Sequence, residues 1–458
     1  MSKNNGIMKN QDYIIEITGQ THEGMGVGKI DDFAVFVAGA IAGEEVKVKV
    51  VKVLKNYSYG KLLEVITGSP NRRDPLCNVI RRCGGCQLQH MNYEGQLNFK
   101  KQVVKDALER IGGLKDVIIH DTLGMKYPWH YRNKSQLPVG ISEKEIQIGF
   151  YAKRSHEMID IDNCLIQDKI FQTAINIMKQ FIKDYKISIY DENTGIGLIR
   201  HIILRKGFKT EEIMVGIVIN GDGFPYAGEL IEVLKQGICG LKTIVLNINK
   251  KKTNVIYGLK NKIIYGDGFI YDYIGDVKFR ISLLSFFQVN PIQTKVLYDK
   301  VMEYAGLTGK ETVIDAYCGI GTISLFLSRK AKKVYGVEVV EEAVVDAKEN
   351  ARLNGADNAE FILGEAEIEI PKLYERGVKA DVIIVDPPRK GCDIRLLGVI
   401  AKMAPKKIIY VSCNPSTLAR DLKYLVSEGY GVKEVQPVDL FAQTVHVEVT
   451  CKLTKVDN

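Results

Sequence analysis

Between residues 8 and 67 hydrophobic and polar positions alternate with a period of two. Tyr13-Ile14-Ile15-Glu16-Ile17 and Phe33-Ala34-Val35-Phe36-Val37 are predicted strands, and Glu45-Val46-Lys47-Val48-Lys49-Val50 alternates charge with valine, giving one dry and one wet face. Glycines at 19, 24, 26, 28, 39, 43 and 60 are read as turns, and short glycine-punctuated strands of this kind suit a small OB-type barrel. The wet face carries Lys47 and Lys49, followed by Lys52, Lys55, Tyr57, Tyr59 and Lys61. Lysine interleaved with tyrosine offers phosphate contacts and stacking surfaces for single-stranded nucleic acid. A solvated strand face would carry the same pattern.

A boundary is expected at Gly68-Ser69-Pro70. The next region, 68–285, opens with a cysteine cluster and a helix from about Tyr93 to Ile111, on which Leu97, Val104, Leu108 and Ile111 share one face before Gly112-Gly113 ends it. Strand-like runs follow at 202–204, 214–219 and 243–248, an α+β mixture. From 286 to 458 strand and helix alternate: strands at 312–316, 333–337, 381–385 and 407–411, helices from Thr322 and Glu341. That alternation predicts a doubly wound parallel sheet, an α/β Rossmann-like domain whose ligands bind beyond the carboxyl ends of the strands.

Composition narrows the class. The chain has 458 residues, which suggests about three domains. Its first residues are polar without a signal-like apolar region, and the longest low-polarity stretch, Phe33 to Gly43, is far short of a bilayer span. A cytoplasmic protein is expected, in which nine irregularly spaced cysteines serve metal binding, catalysis or burial rather than a disulfide framework. The net charge of +8 favours polyanionic partners.

The candidate chemistry lies at the predicted strand ends. After the first strand comes Asp315-Ala316-Tyr317-Cys318-Gly319-Ile320-Gly321-Thr322, and after the second comes Glu338. Two glycines allow close approach to the backbone and the acid can hold ribose hydroxyls. Ser324 stands where a dinucleotide fingerprint wants a third glycine, which favours S-adenosylmethionine, a nucleoside without phosphates, over a nicotinamide dinucleotide. The third strand ends in Asp386-Pro387-Pro388-Arg389-Lys390-Gly391, and consecutive prolines stiffen the backbone there. An exocyclic amino group attacks a methyl donor with its own lone pair; a pyrimidine C5 needs a nucleophile to add at C6 first. Cys413, at the end of the next strand and before Asn414-Pro415, can supply that thiolate if Arg389, Lys390 or a sulfonium lowers its pKa. Thr444-Val445-His446-Val447-Glu448-Val449 alternates, so His446 and Glu448 share a face, either simply wet or carrying the base that removes the C5 proton. Cys77, Cys83 and Cys86 with the distant Cys164 can hold zinc or an iron–sulfur cluster, and Cys83-Gly84-Gly85-Cys86 alone could be a redox pair.

Taken together, Ser285-Phe286-Phe287-Gln288-Val289-Asn290, the Asp315 to Thr322 loop, Asp386 to Gly391, Ser412-Cys413-Asn414-Pro415 and His446-Val447-Glu448 resemble the RNA (uracil-C5)-methyltransferase family over nearly the whole chain. The resemblance implies a TRAM-type barrel, a central domain with a [4Fe–4S] cluster on Cys77, Cys83, Cys86 and Cys164, and a catalytic domain that binds S-adenosylmethionine. It implies that Gln288, Tyr317, Glu338 and Asp386 line the cofactor pocket, that Cys413 is the nucleophile and Glu448 the base, and that Phe286 sits near the target base. Thr322 stands where some members carry Asn. Members acting on 23S ribosomal RNA look nearest, with transfer RNA as the alternative substrate; the helix from Tyr93 is expected to pack on the catalytic domain. Arg81, Arg82 and Tyr131-Arg132-Asn133-Lys134 would add positive charge for RNA beside the cluster, or form solvated surface. Three rivals remain: cytosine C5 methylation, disfavoured by Arg389 after Pro388, an iron–sulfur oxidoreductase, and a catalytically silent RNA-binding protein.

Overall fold

The structure, a computed structural model, describes residues 7–143, 145–153, 155 and 157–456. The N-terminal strands Asp12–Gln20, Met25–Ile30, Phe33–Ala38, Glu45–Val53 and Tyr57–Thr67 close into a barrel, the fifth lying between the third and the fourth. Ile15, Ile17, Val35, Val37, Val46, Val48 and Val50 fill it, so the alternation of Glu45–Val50 turns its valines inward. Lys47 and Lys49 stand outside, 3.6 and 3.7 Å from the Asp12 carboxylate across the strand pair. Glycines 24, 39 and 43 turn the chain with positive φ, but 19, 26, 28 and 60 lie inside strands. Gly28 is there because the neighbouring strand is close: a Cβ would stand 2.6 Å from the Glu16 carbonyl oxygen.

A seven-stranded sheet follows, its central strands Ile199–Lys206, Ile213–Ile219 and Leu241–Ile248 covered on one face by the helices Ile170–Asp184 and Ala227–Gly237. The opposite face, with Ile203, Met214 and Val245, packs in one continuous core with the hairpin 269–282, the helix Pro291–Ala305 and the C-terminal sheet. Hydrophobic packing therefore runs unbroken past residue 285.

The C-terminal sheet has the order Ala359–Leu363, Lys333–Glu338, Thr312–Ala316, Val382–Val385, Lys407–Ser412, Glu448–Lys455, Tyr430–Val438, Ile118–Ile119. The first five strands are parallel, and Glu448–Lys455 runs antiparallel to both its neighbours. The helix Tyr93–Ala107 and the single π-helical turn Leu108–Gly112 pack on the helix Pro415–Ser427, as the resemblance implied. The expected face is met in part: Val104 and Leu108 are buried and Leu97 half-buried, but Ile111 is exposed and Phe99 and Lys100 join the buried side. The π turn adds a residue to the repeat and swings Ile111 to solvent.

Among the described residues no helix is long and apolar enough to cross a membrane.

Candidate active site

Strand register assembles the site. Ser412 pairs with Val449 across antiparallel strands, so their neighbours Cys413 and Glu448 emerge at the same end. Ala316 pairs with Val385 and Val385 with Tyr410 in parallel, which brings Tyr317 and Asp386 to that same edge. A cavity of about 1030 Å³ opens there, where the sheet order reverses beside Thr312–Ala316, and Gln288, Tyr317, Glu338, Asp386, Cys413 and Glu448 all line it. Phe286, 69% exposed, stands on its wall with Arg389.

The loop after the first parallel strand is shaped by residues with positive φ: Tyr317 at 69°, Gly319 at 56° and Gly321 at 82°. A Cβ on Gly321 would lie 2.9 Å from the Phe361 ring. The Glu338 carboxylate accepts from the backbone N–H of Gly319 at 3.0 Å and of Val339 and Val340 at 2.9 Å. Tyr317 donates to Glu367 at 2.6 Å, and Tyr298 donates its hydroxyl to Thr322 at 2.9 Å. From the central region, Asn133 donates to the Gln288 carbonyl at 3.0 Å, while buried Arg205 donates to the carbonyls of Leu283 and Ser285, fixing the backbone ahead of Phe286.

The cavity is rich in buried acid. Burial pushes the Asp315 carboxyl up to about 7 against the Ser324 hydroxyl that donates to it at 2.6 Å, with Asp386 and Glu338 adding repulsion. The other Asp315 oxygen has no hydrogen-bond partner. Burial raises Asp386 to about 6. Glu448 is raised well above the ordinary carboxylate range by burial and then by Asp386, and Arg389 opposes the rise. The Cys413 thiol is pushed up to about 11 by burial, Glu448 and Asp386, again with Arg389 opposing. Burial holds protons on these groups first, and the acids, which outnumber the one facing cation, add to it by mutual repulsion at Asp315, Cys413 and Glu448.

Glu448 corrects one expectation. The alternation of residues 444 to 449 suggests one strand with a wet face, but the strand begins at Glu448, whose side chain is buried, while His446 is an exposed residue of an otherwise largely buried loop, its ring edge-on to Phe441. That loop is anchored from the N-terminal side: Lys100 and Asp439, both fully buried, pair at 2.5 Å, Lys100 also donates to the Phe441 carbonyl, and Tyr93 donates to Asp439 at 2.8 Å. Sequence reasoning missed Lys100, Asp439 and Arg205 and placed Asn133 in an RNA-facing segment rather than on the Gln288 carbonyl, because their partners lie far along the chain.

Cys77, Cys83, Cys86 and Cys164 line a second cavity of about 270 Å³, whose wall shares Gly85 and Arg132 with the first. Burial raises Cys83, Cys164 and, to about 12, Cys86, and the neighbouring thiols raise all three further. Among the described residues no group of three or more His, Cys, Asp or Glu side chains is arranged to hold a metal ion. Of the basic residues named above, Arg81 and Arg82 are exposed, Arg82 beside the equally exposed Glu157, whereas Arg132 and Lys134 are half-buried next to the buried Tyr131 and Asn133. Of the remaining cysteines, 318, 392 and 451 are buried and Cys239 is exposed.

Residues 246–456 match the family model described as tRNA (Uracil-5-)-methyltransferase, and residues 8–63 match the TRAM domain. An uncharacterized RNA methyltransferase of Clostridium tetani is 54% identical over 99% of this chain and 98% of its own length. The chain belongs to the RNA (uracil-C5)-methyltransferase family. A further family relative, an uncharacterized RNA methyltransferase of Caldanaerobacter subterraneus, is 53% identical over 97% of this chain and 98% of its own. The crystal structure of the Pyrococcus abyssi tRNA (uracil-54, C5)-methyltransferase in complex with S-adenosyl-L-homocysteine superposes with a TM-score of 0.77 at 32% identity, covering 96% of this chain and 99% of that one. The family membership carries S-adenosylmethionine as methyl donor and RNA as substrate.

Proposed function

We propose that this chain methylates C5 of a uridine in 23S ribosomal RNA, using S-adenosylmethionine and a covalent intermediate at Cys413. The observation that carries the reading is the juxtaposition of Cys413 and Glu448 in a cavity whose buried carboxylates outnumber the single cation, Arg389, that faces Glu448. S-adenosylmethionine supplies an electrophilic methyl on a positively charged sulfur, and its charge suits the unpartnered Asp315 oxygen. Gln288, Tyr317, Glu338 and Asp386 would hold it, Glu338 offering the carboxylate that the three backbone N–H groups orient.

The thiolate of Cys413 adds to C6, the electron pair of the C5–C6 double bond becomes an enolate, and C5 takes the methyl as the S–CH3 bond breaks and its electron pair stays on the donor's sulfur, leaving a neutral thioether. Glu448 then removes the C5 proton, and the electrons of that C–H bond restore the double bond as the Cys413 thiolate leaves. Both groups must be ionised for their steps: a bound sulfonium would favour the Cys413 thiolate, whereas Glu448 acts after the donor has become a neutral thioether, so at that step Arg389 is the cation opposing its raised pKa. Phe286, exposed at the cavity wall, supplies a stacking face for a flipped uracil.

Transfer RNA is the second reading, favoured by the tRNA enzyme that matches this chain from barrel to C-terminus. Methyl transfer from labelled cofactor to unmodified 23S RNA and to unmodified tRNA separates the two, and transfer to neither overturns the activity. Glu448→Gln is expected to accumulate a covalent RNA–protein adduct seen as a gel shift; normal turnover by that variant removes Glu448 as base.

The four clustered cysteines support a [4Fe–4S] cluster. Their thiols are half-buried, mutually repelling once ionised, and share one cavity, a donor set that a cationic iron core would stabilise. Uracil methylation transfers no electrons, so its role is to fix Arg132 and Gly85 between the two cavities. Iron and sulfide analysis tests it: about four of each per chain is expected, and Cys164→Ser should lose them.

A further inference from the structure

The segment that carries Arg389 is held along its length by one helix, Pro415–Ser427, which begins two residues after Cys413. Asn414 and Thr417 donate side-chain hydrogen bonds to the Arg389 carbonyl at 3.0 and 3.2 Å. Arg420 donates to the carbonyls of Lys390 at 3.0 Å and Cys392 at 3.4 Å. The Cys392 N–H donates to Asp421 at 2.8 Å. Gly391 passes between with φ of +80°, where a Cβ would stand 2.5 Å from the Arg420 guanidinium and 2.6 Å from the Asp421 carboxylate.

Asp421 is the hub of this arrangement. It is 1% exposed, it accepts from Tyr410 at 2.6 Å and from Arg420 at 2.8 Å besides Cys392, and it lies in a groove separate from the catalytic cavity. Tyr410, Cys392 and Arg420 are the titratable groups around it. Those facing Cys413 are Glu448, Asp386 and Arg389, and of the three only Arg389 favours the thiolate. Cation and nucleophile are therefore tied to the same helix, the nucleophile through backbone continuity and the cation through Asn414 and Thr417 at its own carbonyl and through Arg420 and Asp421 at the residues that follow it.

We propose that Asp421 is a positioning residue that sets the reactivity of Cys413: with Arg420 it clamps residues 389–392 so that the Arg389 guanidinium stays against the thiol. The inference rests on the reading of Cys413 as the nucleophile. A carboxylate-to-amide change at Asp421 keeps its shape but removes the charge that fixes Arg420, which frees the loop and lets Arg389 turn to solvent.

The test is the pH dependence of Cys413 alkylation by iodoacetamide in the full chain, read at the Cys413 peptide by mass spectrometry. Asp421→Asn and Arg420→Gln should each raise the midpoint by about one pH unit, a roughly tenfold slower alkylation below it, since a nearby opposite charge moves a pKa by about 1 to 3 units. Arg389→Gln should raise it at least as far, and adding Asp421→Asn to Arg389→Gln should change nothing more. A wild-type midpoint in both single variants, or an additive rise in the double variant, overturns the proposal. Should Asp421→Asn fail to fold, Arg420→Gln decides, because that side chain is 54% exposed. Failure of the nucleophile reading would show separately, as methyl transfer surviving in Cys413→Ala.

Discussion

Replacing Asp315 by Asn should strengthen the fold and weaken the site. The carboxyl is fully buried; one oxygen accepts from Ser324 and the other from nothing. Burial raises it from an ordinary 3.8 to about 7. A carboxyl with a folded pKa above its unfolded one contributes its full stability below the unfolded value, and loses it as pH rises through the folded value. The rise spans about three pH units, which at 1.36 kcal/mol each is about 4 kcal/mol withheld from the wild type above pH 7. Asparagine keeps the Ser324 acceptor and never ionises. Thermal unfolding without cofactor should therefore show the variant melting higher than wild type at pH 8, by on the order of 10 °C at most, and level with it near pH 4. Calorimetry should show its affinity for S-adenosylmethionine reduced at least about tenfold, the loss of one charge-assisted contact. A variant that melts no higher at pH 8 and binds the cofactor as wild type does would refute the idea that this buried acid is kept for a cation.

Lys100→Met leaves the buried Asp439 carboxylate without its cation and should cost about 3 to 5 kcal/mol in urea unfolding, since breaking a buried pair strands a charge. Gly321→Ala places a methyl against the Phe361 ring at a φ of 82°; cofactor binding by calorimetry should fall severalfold with a stability loss of about 1 to 3 kcal/mol. On the barrel, Phe36, Tyr57 and Tyr59 form an edge-to-face aromatic group. Tyr59→Ala should weaken RNA binding in a filter assay about fivefold or more while leaving cofactor affinity unchanged, stacking being worth about 1 to 3 kcal/mol per base.

Local periodicity made much of this fold legible. The valines of Glu45–Val50 and the apolar runs at 312–316, 382–385 and 407–411 point where their spacing says, because a strand's two faces are set by its own sequence. Cys413 was readable because a strand end before proline in a doubly wound sheet opens on the ligand edge. The misreadings share one cause, which is partners distant in sequence. Lys100 looks like surface charge until Asp439, 339 residues on, meets it in the interior. Glu448 alternates like a wet position, yet pairing with the strands Lys407–Ser412 and Tyr430–Val438 on either side buries it. In the barrel, glycines 26, 28 and 60 looked like turns because the sequence does not report how closely two strands approach.

The central claim is a bond between the Cys413 sulfur and C6 of the target uracil. RNA transcribed with 5-fluorouridine tests it most directly, because fluorine at C5 cannot leave as a cation and the elimination step stalls. With S-adenosylmethionine present, a denaturation-stable RNA–protein adduct is expected, with the modified peptide mapping to Cys413 and no adduct from Cys413→Ala. An adduct mapping to another residue, or none from an enzyme that methylates ordinary RNA, would contradict the account.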